Sequence, residues 1–182
     1  MHIARIVLSI SLTLFMCSQA ICADLQVKLN TQIELLPSCR VNDQQYIQGS
    51  TGLNFGELNF GNVSANFKGI LDTTLSNGSY SLIKIQCNGS AAIKLIFGSG
   101  ENDNKIPNNM QGNYFRALSN GEHYIAYNLL YGADRKKLKP NDVLTFNAGQ
   151  DINVDLYGKA ILQDQVISNG RYRDIIRISI EF

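Results

Sequence analysis

Apolar and polar side chains alternate almost without interruption through Asp24-Leu25-Gln26-Val27-Lys28-Leu29-Asn30-Thr31-Gln32-Ile33-Glu34-Leu35. In an extended strand, successive side chains point to opposite faces, so this segment would have one polar face and one largely apolar face. The apolar face would carry Leu25, Val27, Leu29, Thr31, Ile33 and Leu35. Such a segment can pair inside its own fold or be lent to a neighbouring molecule. The first arrangement is typical of an ordinary secreted module, and the second is typical of an assembly subunit.

Residues 1–23 have the composition of a secretory signal peptide. Arg5 precedes the apolar run 6–16, and small residues follow that run. The run is well short of the roughly 20 apolar residues that cross a bilayer, which argues against a membrane anchor. Cleavage fits after Ala20 or after Ala23, and we favour Ala23 because that cut also removes both cysteines that precede it. The sequence therefore predicts export.

The exported chain would be a single domain of nearly neutral charge. Removal of residues 1–23 from the 182 of the full chain leaves 159, which is enough for one domain with a real core but too few for two ordinary domains. The formal net charge is +1 and the charged fraction is 17%, so charge suggests neither a nucleic-acid partner nor an anionic surface.

Two cysteines, Cys39 and Cys87, remain after cleavage. In an oxidising compartment these two are expected to form a disulfide. A bridge that closes a loop of roughly 50 residues would stabilise the fold by about 4 kcal/mol on the loop-entropy model. Such a margin is useful for a β protein whose strands pair over long sequence separations.

The mature sequence consists of short alternating stretches separated by turn signals. Asn-Gly pairs, which supply the positive φ angles of tight hairpins, occur at 77–78, 88–89, 120–121 and 169–170. The final stretch places four apolar side chains on one face: Ile176, Ile178, Ile180 and Phe182. No stretch shows a convincing helical period. The pattern predicts an all-β, two-sheet antiparallel sandwich, in which residues 98–121 form a long loop or a pair of loose edge strands.

No residue pattern indicates catalysis, a cofactor or a bound metal. His123 is the one histidine after residue 23, so a histidine cluster cannot form there, and its place next to Asn120-Gly121 favours a turn or strand role. No serine lies in a Gly-x-Ser-x-Gly context. A nucleophilic role for Cys39 is conceivable, but a bridge is the more typical use. We therefore expect a protein that is not an enzyme.

A sandwich that lacks its final strand would leave a groove beside residues 171–182. Unpaired main-chain groups at such an edge recruit another strand, and in donor-strand complementation a neighbour supplies it. Burial of five donor side chains at ~1.5 to 3 kcal/mol each would contribute on the order of 8 to 15 kcal/mol as a gross upper bound. Because donor and groove are different surfaces, repeated contacts would build an open filament.

Several short motifs resemble the spore coat protein U domain, in the order that this family has them. They are Val27-Lys28-Leu29-Asn30 ahead of Ser38-Cys39, Leu58-Asn59-Phe60-Gly61, Ile85-Gln86-Cys87, Tyr127-Asn128-Leu129-Leu130-Tyr131, Tyr157-Gly158 and Gly170-Arg171-Tyr172-Arg173-Asp174. The resemblance covers nearly all of the mature chain. The family includes the pilins of archaic, Csu-type chaperone-usher pili.

This resemblance implies an incomplete immunoglobulin-like domain over residues 37–182 that is completed by a donor strand, with residues 24–36 as the donor extension. The donor residues would be Leu25, Val27, Leu29, Thr31 and Ile33. The strand beside the acceptor groove, where a chaperone binds first, would carry Ile176, Ile178, Ile180 and Phe182. Cys39 and Cys87 would form the bridge. The implied partners are a periplasmic chaperone, an outer-membrane usher and neighbouring pilin subunits, with no nucleic acid and no cofactor.

We therefore expect a structural pilus subunit, exported to the periplasm and assembled into a surface fibre for adhesion and biofilm formation. A single domain disfavours a two-domain tip adhesin and favours a rod or adaptor position. One rival is a complete, monomeric secreted module, for example for carbohydrate, with residues 24–35 folded back as its own first strand. Another is a coat or matrix protein that uses the same fold.

Overall fold

The computed structural model describes residues 28–47, 49–51, 53–163 and 168–182. The predicted signal peptide, 1–23, and the predicted donor residues Leu25 and Val27 lie outside the described residues. Leu35–Phe182 form one compact unit, and the chain before Leu35 is assigned to a separate unit.

Among the described residues, helical structure is limited to two single 3-10 turns, Asp103–Lys105 and Asn108–Met110. None of the helices in that part of the chain has the length and apolarity to cross a bilayer. The rest of the regular structure consists of thirteen strands: β1 Ser38–Val41, β2 Gln44–Ile47, β3 Glu57–Leu58, β4 Gly69–Ser76, β5 Ile83–Cys87, β6 Ile93–Phe97, β7 Arg116–Ser119, β8 Tyr124–Tyr131, β9 Lys136–Leu138, β10 Asp142–Phe146, β11 Ile152–Val154, β12 Leu156–Leu162 and β13 Ile178–Glu181.

The strands form three antiparallel sheets. Their orders are β11-β5-β1-β2, β10-β6-β13 and β3-β4-β12-β8-β7, with β9 paired to β8. The prediction of an all-β antiparallel fold is confirmed. The sequence predicted two sheets, whereas the backbone pairing separates three, because periodicity reveals which residues share a face but not which strands are neighbours.

All three sheets contribute side chains to one main core. Ile85 of β5, Leu95 of β6 and Leu129 of β8 belong to it and are at most 2% exposed. Buried positions alternate with more exposed ones along β5 and β6, so each strand turns one face inward. Truncation of one such side chain to alanine typically costs about 2 to 5 kcal/mol of stability.

Strand β8 is buried on both faces. One face packs into the main core through Leu129 and into a second apolar cluster, with Ala160 and Leu162, through Ile125 and Tyr127. The other face is covered by the chain around Met110. The Asn128 side chain connects to this covering segment: its Nδ2 donates to the Asn113 carbonyl at 2.9 Å, and its Oδ1 accepts from the Phe115 amide at 3.1 Å. Residues 98–121, predicted as a long loop or a pair of loose edge strands, contain both 3-10 turns and the edge strand β7, which pairs with β8.

The tight turn between β1 and β2 uses Asn42 and Asp43, which have φ angles of 46° and 66°. Two consecutive positive φ angles match the two-residue type I′ hairpin. The turn signals of the sequence analysis did not include this pair. Among the predicted Asn-Gly sites, Gly78, Gly121 and Gly170 adopt positive φ, at 57°, 99° and 152°.

Candidate functional site

Strand β13 lies at the edge of its sheet. It pairs with β6 in the register Ile178 to Phe97, Ser179 to Ile96, Ile180 to Leu95 and Glu181 to Lys94. Within the described part of the chain, no strand pairs with its other edge. An edge of this kind presents unpaired main-chain donors and acceptors, which are a template for an added strand.

The main-chain hydrogen bonds show which groups face that open edge. The Gly98 amide donates to the Arg177 carbonyl at 2.8 Å, so these two residues form a hydrogen-bonded pair between β6 and the chain that leads into β13. Hydrogen-bonded and non-hydrogen-bonded pairs alternate along an antiparallel ladder. The N–H and C=O groups of Ile178 and Ile180 therefore point away from β6, toward the open edge.

The four residues predicted to lie beside an acceptor groove share one face of this edge. Partly buried against the core are Ile176, Ile178, Ile180 and Phe182. The opposite face carries Arg177, Ser179 and Glu181, which are exposed. The alternation that the sequence indicated is present, and the assignment of these residues to an acceptor groove stays a prediction.

Burial declines from the centre of this sheet toward its edges. Leu95 on the central strand is 0% exposed, while its cross-strand neighbours Leu144 on β10 and Ile180 on β13 are only partly buried. Apolar area that remains in contact with water costs roughly 25 cal/mol per Å² relative to burial. An additional strand beside β13 would cover the partly exposed side chains there.

The same sheet has a second open edge at β10. In the described part of the fold, β10 pairs only with β6. Its Val143 faces away from the core and is 47% exposed. The β10 edge is therefore an alternative place for an added strand, and a test of the site must separate the two edges.

Residues 28–36, the described part of the predicted donor extension, are exposed and are not part of a strand. Leu29 and Ile33 are each 83% exposed, Leu35 is 84% exposed, and Thr31 is exposed as well. Single exposed apolar residues are ordinary on protein surfaces, whereas large exposed apolar patches are typical of interaction sites. The assignment of these residues to a donor strand stays a prediction.

A polar cluster holds the chain that leads into β13, and no pattern in the sequence indicated it. Asp174 accepts a hydrogen bond from the Tyr127 hydroxyl at 2.6 Å and another from the Glu101 amide at 2.8 Å. The fully buried Arg116 donates to the Gly98 carbonyl at 3.1 Å and lies 3.5 Å from Asp103. Tyr127 and Asp174 each lie in a motif that resembles the spore coat protein U domain, and that was the one indication in the sequence that both matter. The motifs do not indicate that the two side chains are in contact.

Burial shifts the acid–base properties of this cluster. Desolvation raises the pKa of Asp103, and a hydrogen bond from the Gly100 amide partly opposes that shift. Burial, together with the Asp174 carboxylate, raises the pKa of Tyr127 well above its usual value. The Tyr127 hydroxyl therefore keeps its proton and remains a hydrogen-bond donor to Asp174.

Gly100 is a position where a side chain would displace two carboxylates of the cluster. A Cβ atom there would lie 2.7 Å from Oδ1 of Asp103 and closer still to Oδ2 of Asp174. These distances are shorter than van der Waals contact, so any other residue would push the two carboxylates apart. Glycine at this position lets the 98–103 loop pack directly against the chain ahead of β13.

Cys39 and Cys87 form the predicted disulfide, from directly opposite positions on β1 and β5. The bridge thus connects two neighbouring strands of the four-stranded sheet. Cys39 is the second residue of β1, the first strand among the described residues. The first strand after the exposed extension is therefore covalently attached to the core sheet.

The described residues contain no group of three or more His, Cys, Asp or Glu side chains placed to bind a metal ion. His123 has the turn role that the sequence favoured: its amide donates to Oδ1 of Asn120 at 2.7 Å, and its Nδ1 lies 3.1 Å from the Ser168 hydroxyl. A polar surface depression of about 290 Å³ lies over β1, β5 and β11. Its described lining includes Arg40, Lys84 and Asp151 but no aromatic ring on which a sugar could stack.

Comparison with known proteins identifies the family. The model of the Spore Coat Protein U domain matches residues 25–179. Curated proteins give no match. Among solved structures, the chain is similar to one in the crystal structure of the CsuC-CsuE chaperone-tip adhesion subunit pre-assembly complex from archaic chaperone-usher Csu pili of Acinetobacter baumannii, with 18% identity and a TM-score of 0.43. That match covers 81% of this chain and 40% of the other, so this chain spans less than half of its length. The family match extends over most of the sequence, and the chain belongs to the spore coat protein U domain family.

Proposed function

We propose that this protein is a structural subunit of an archaic, Csu-type chaperone-usher pilus and that it polymerises by donor-strand exchange. Residues 24–36 of one subunit would pair with the open edge of β13 in the next. The open edge carries the proposal: the main-chain groups of Ile178 and Ile180 face away from β6, and the apolar side chains beside them are only partly buried. Membership of the spore coat protein U domain family supports it.

The exposed extension supplies what this edge requires. Leu29, Thr31 and Ile33 recur at every second position and are exposed in the subunit, so they are free to be buried in another copy. Main-chain bonds would provide affinity, and the alternate side chains would fit beside the half-buried row of β13. Burial of the apolar side chains of the extension against those of β13 would give a long-lived contact between subunits.

The partners follow from the same edge. Before assembly, an open strand edge beside partly exposed apolar side chains favours aggregation. A periplasmic chaperone would cover that edge, and an outer-membrane usher would receive the covered subunit and add it to the fibre. The finished fibre would lie on the cell surface and serve adhesion and biofilm formation. The role is structural, with no catalytic step.

The rival hypothesis of a monomeric secreted module requires the leading segment to be the first strand of its own fold. Residues 28–37 carry no strand assignment and are exposed, which favours the subunit proposal. The polar depression over β1, β5 and β11 lacks the aromatic platform that sugar binding commonly uses.

Removal of the donor tests the proposal. The full chain and a variant that lacks residues 24–33 would be expressed in a periplasm together with a chaperone of an archaic chaperone-usher system. We expect the full chain to give polymers that withstand detergent without heating, and the deletion variant to be captured by the chaperone but to give no polymer. Equal polymer from both chains would exclude these residues as the donor. A soluble monomer from the full chain, expressed without helper proteins, would favour the secreted module.

A further inference from the structure

The four Asn-Gly pairs of this chain differ in what holds the asparagine side chain. We propose that Asn169 is a site of spontaneous deamidation, at which asparagine is converted to aspartate or isoaspartate, and that it reacts faster than the asparagines of the other three pairs. The inference does not depend on how the protein assembles. It adds a covalent modification site to the chain that leads into β13.

Deamidation of an Asn-Gly pair is an intramolecular reaction. The amide nitrogen of the glycine attacks Cγ of the asparagine, a C–N bond forms, and the side-chain nitrogen leaves as ammonia together with the glycine amide proton. Water then opens the succinimide ring at either carbonyl, which gives aspartate or isoaspartate, and no oxidant or reductant takes part. Glycine favours the reaction because it has no side chain and a permissive backbone. The asparagine side chain must be able to turn toward the glycine nitrogen.

Asn169 meets these requirements. Its side chain is exposed and makes no hydrogen bond or ion pair with any of the described residues. Within the same described part of the chain, the amide of Gly170 donates no main-chain hydrogen bond. Both reacting groups are therefore unrestrained by the residues that the structure describes, and the side chain can reach the geometry of attack without breaking a contact to them.

Asn120 is held at both ends of its side-chain amide. Its Oδ1 accepts from the main-chain amides of residues 122 and 123 at 3.0 and 2.7 Å, and its Nδ2 donates to the Ser168 hydroxyl at 2.9 Å. The attacking nitrogen of this pair is engaged as well, because the Gly121 amide donates to the Ser119 hydroxyl at 2.9 Å. These contacts must break before the ring can close.

Asn88 and Asn77 are also held. Oδ1 of Asn88 accepts from the Ser38 amide at 2.7 Å, and the Asn88 amide donates to the Ser38 carbonyl at 3.0 Å. Asn77 pairs with Tyr80 through both main-chain groups, and its Nδ2 donates to the Asn54 carbonyl at 3.3 Å. A single hydrogen bond that must break lowers the population able to react by roughly two- to tenfold.

The modification would fall inside a short closed turn. The Tyr172 hydroxyl donates to the Ser168 carbonyl at 3.0 Å, and Asn169 lies between these two residues. Either product adds a negative charge two residues before the exposed Arg171, and isoaspartate also lengthens the main chain by one carbon. Deamidation would therefore change both the charge and the main-chain geometry ahead of β13.

Peptide mapping tests the proposal, because cleavage after lysine and arginine places the four pairs in different peptides. These are 69–84, 85–94, 117–135 and 160–171. The purified, folded full chain would be kept in isotope-labelled water at mildly alkaline pH, digested in ordinary water and analysed by mass spectrometry at intervals. Label uptake separates deamidation during the incubation from deamidation during digestion. The same chain, unfolded in urea with its disulfide reduced, is the control.

In urea, the four sites are expected to react at rates within about twofold of one another, since each is followed by glycine. In the folded chain, we expect Asn169 to react at least about threefold faster than Asn77, Asn88 and Asn120. Equal rates at the four sites of the folded chain, or a faster reaction at one of the other three, would overturn the proposal. Protection of Asn169 over a period in which the unfolded chain reacts would overturn it as well.

The variant Asn169→Gln is a matched control for the identity of the site. The glutamine side chain keeps the amide but is one carbon longer, so the attack would have to close a larger ring and is much slower. Label uptake in peptide 160–171 should fall to background, while uptake in the other three peptides should not change. Unchanged uptake in peptide 160–171 would place the reaction at another residue and contradict the assignment to Asn169.

Discussion

Two segments of this molecule have nearly the same alternating pattern and opposite surroundings. In the extension, Leu29 and Ile33 are each 83% exposed. In the edge segment, residues 177–181, Ile178 and Ile180 pack against the main core. Alternation with period two predicts which side chains share a face, but it does not say what that face contacts. The same alternating pattern thus occurs in an exposed segment and in a segment that is paired and packed, so the pattern alone does not distinguish the two surroundings.

The edge segment is held in place by contacts that the extension lacks in its described part. β6 pairs with it along its whole length, and Asp174 connects the chain ahead of it to Tyr127 and to the 98–103 loop. Residues 28–34 carry no strand assignment. We therefore expect changes in the extension to affect assembly alone, and changes around the edge segment to affect both stability and assembly.

The variant Ile33→Asp should have the largest effect on assembly. It would place a carboxylate in the apolar row beside β13, at a cost of about 3 kcal/mol or more, so polymer yield should fall more than roughly 100-fold. The unfolding transition of the subunit should not change, because Ile33 is exposed there. Gln32→Asp, on the polar face, is the matched control. Equal losses from both variants would contradict the assignment of the two faces.

Removal of the disulfide, by Cys39→Ser with Cys87→Ser, should lower the free energy of unfolding by about 2 to 5 kcal/mol. The bridge links β1 to β5 within the four-stranded sheet. The lost stability is therefore that of the compact unit Leu35–Phe182, and the extension is not affected. Urea unfolding of the chaperone-free subunit, blocked at its edge with a synthetic peptide of residues 24–36, would measure it. A stability loss below about 0.5 kcal/mol would show that the bridge contributes little to this fold.

Substitution of Gly100 by alanine should disturb the support of the edge segment. The new Cβ would overlap the carboxylates of Asp103 and Asp174, with an expected cost of about 1 to 3 kcal/mol in thermal or urea unfolding. Amide exchange at residues 176–181 should increase as well. Ser99→Ala, at an exposed neighbouring position, is the control. Equal stability of the two variants would mean that the loop can shift without strain.

The smallest expected effect is that of Tyr127→Phe. This change removes the hydrogen bond to Asp174 and keeps the ring, so stability should fall by about 0.5 to 1.5 kcal/mol. Tyr157→Phe, whose ring would stay stacked on Arg135, is the control. A difference between the two variants in unfolding midpoint would locate the effect in the Asp174 contact. Equal unfolding midpoints would mean that the hydrogen bond from Tyr127 to Asp174 does not help to hold β13 in place.

Local chemistry made part of this structure predictable. The alternation of Ile176 to Phe182, the pairing of Cys39 with Cys87 and the all-β class follow from side-chain period, from the number of cysteines and from turn residues. The buried contact of Arg116 with Asp103 and the closeness of Gly100 to Asp174 were not predictable. These residues are far apart in sequence, and no local pattern states that they meet.

By itself, the sequence determined that the chain forms short antiparallel strands and that two of its segments each present one apolar face. Only the tertiary structure decided that β6 covers one edge of β13 and leaves the other open, and that Leu29 and Ile33 stay in solvent while Ile178 and Ile180 reach the core. The physical reason is that side-chain alternation is set by the backbone geometry of each strand, whereas the neighbours of a strand are set by long-range pairing and by the burial of the whole set of apolar faces at once.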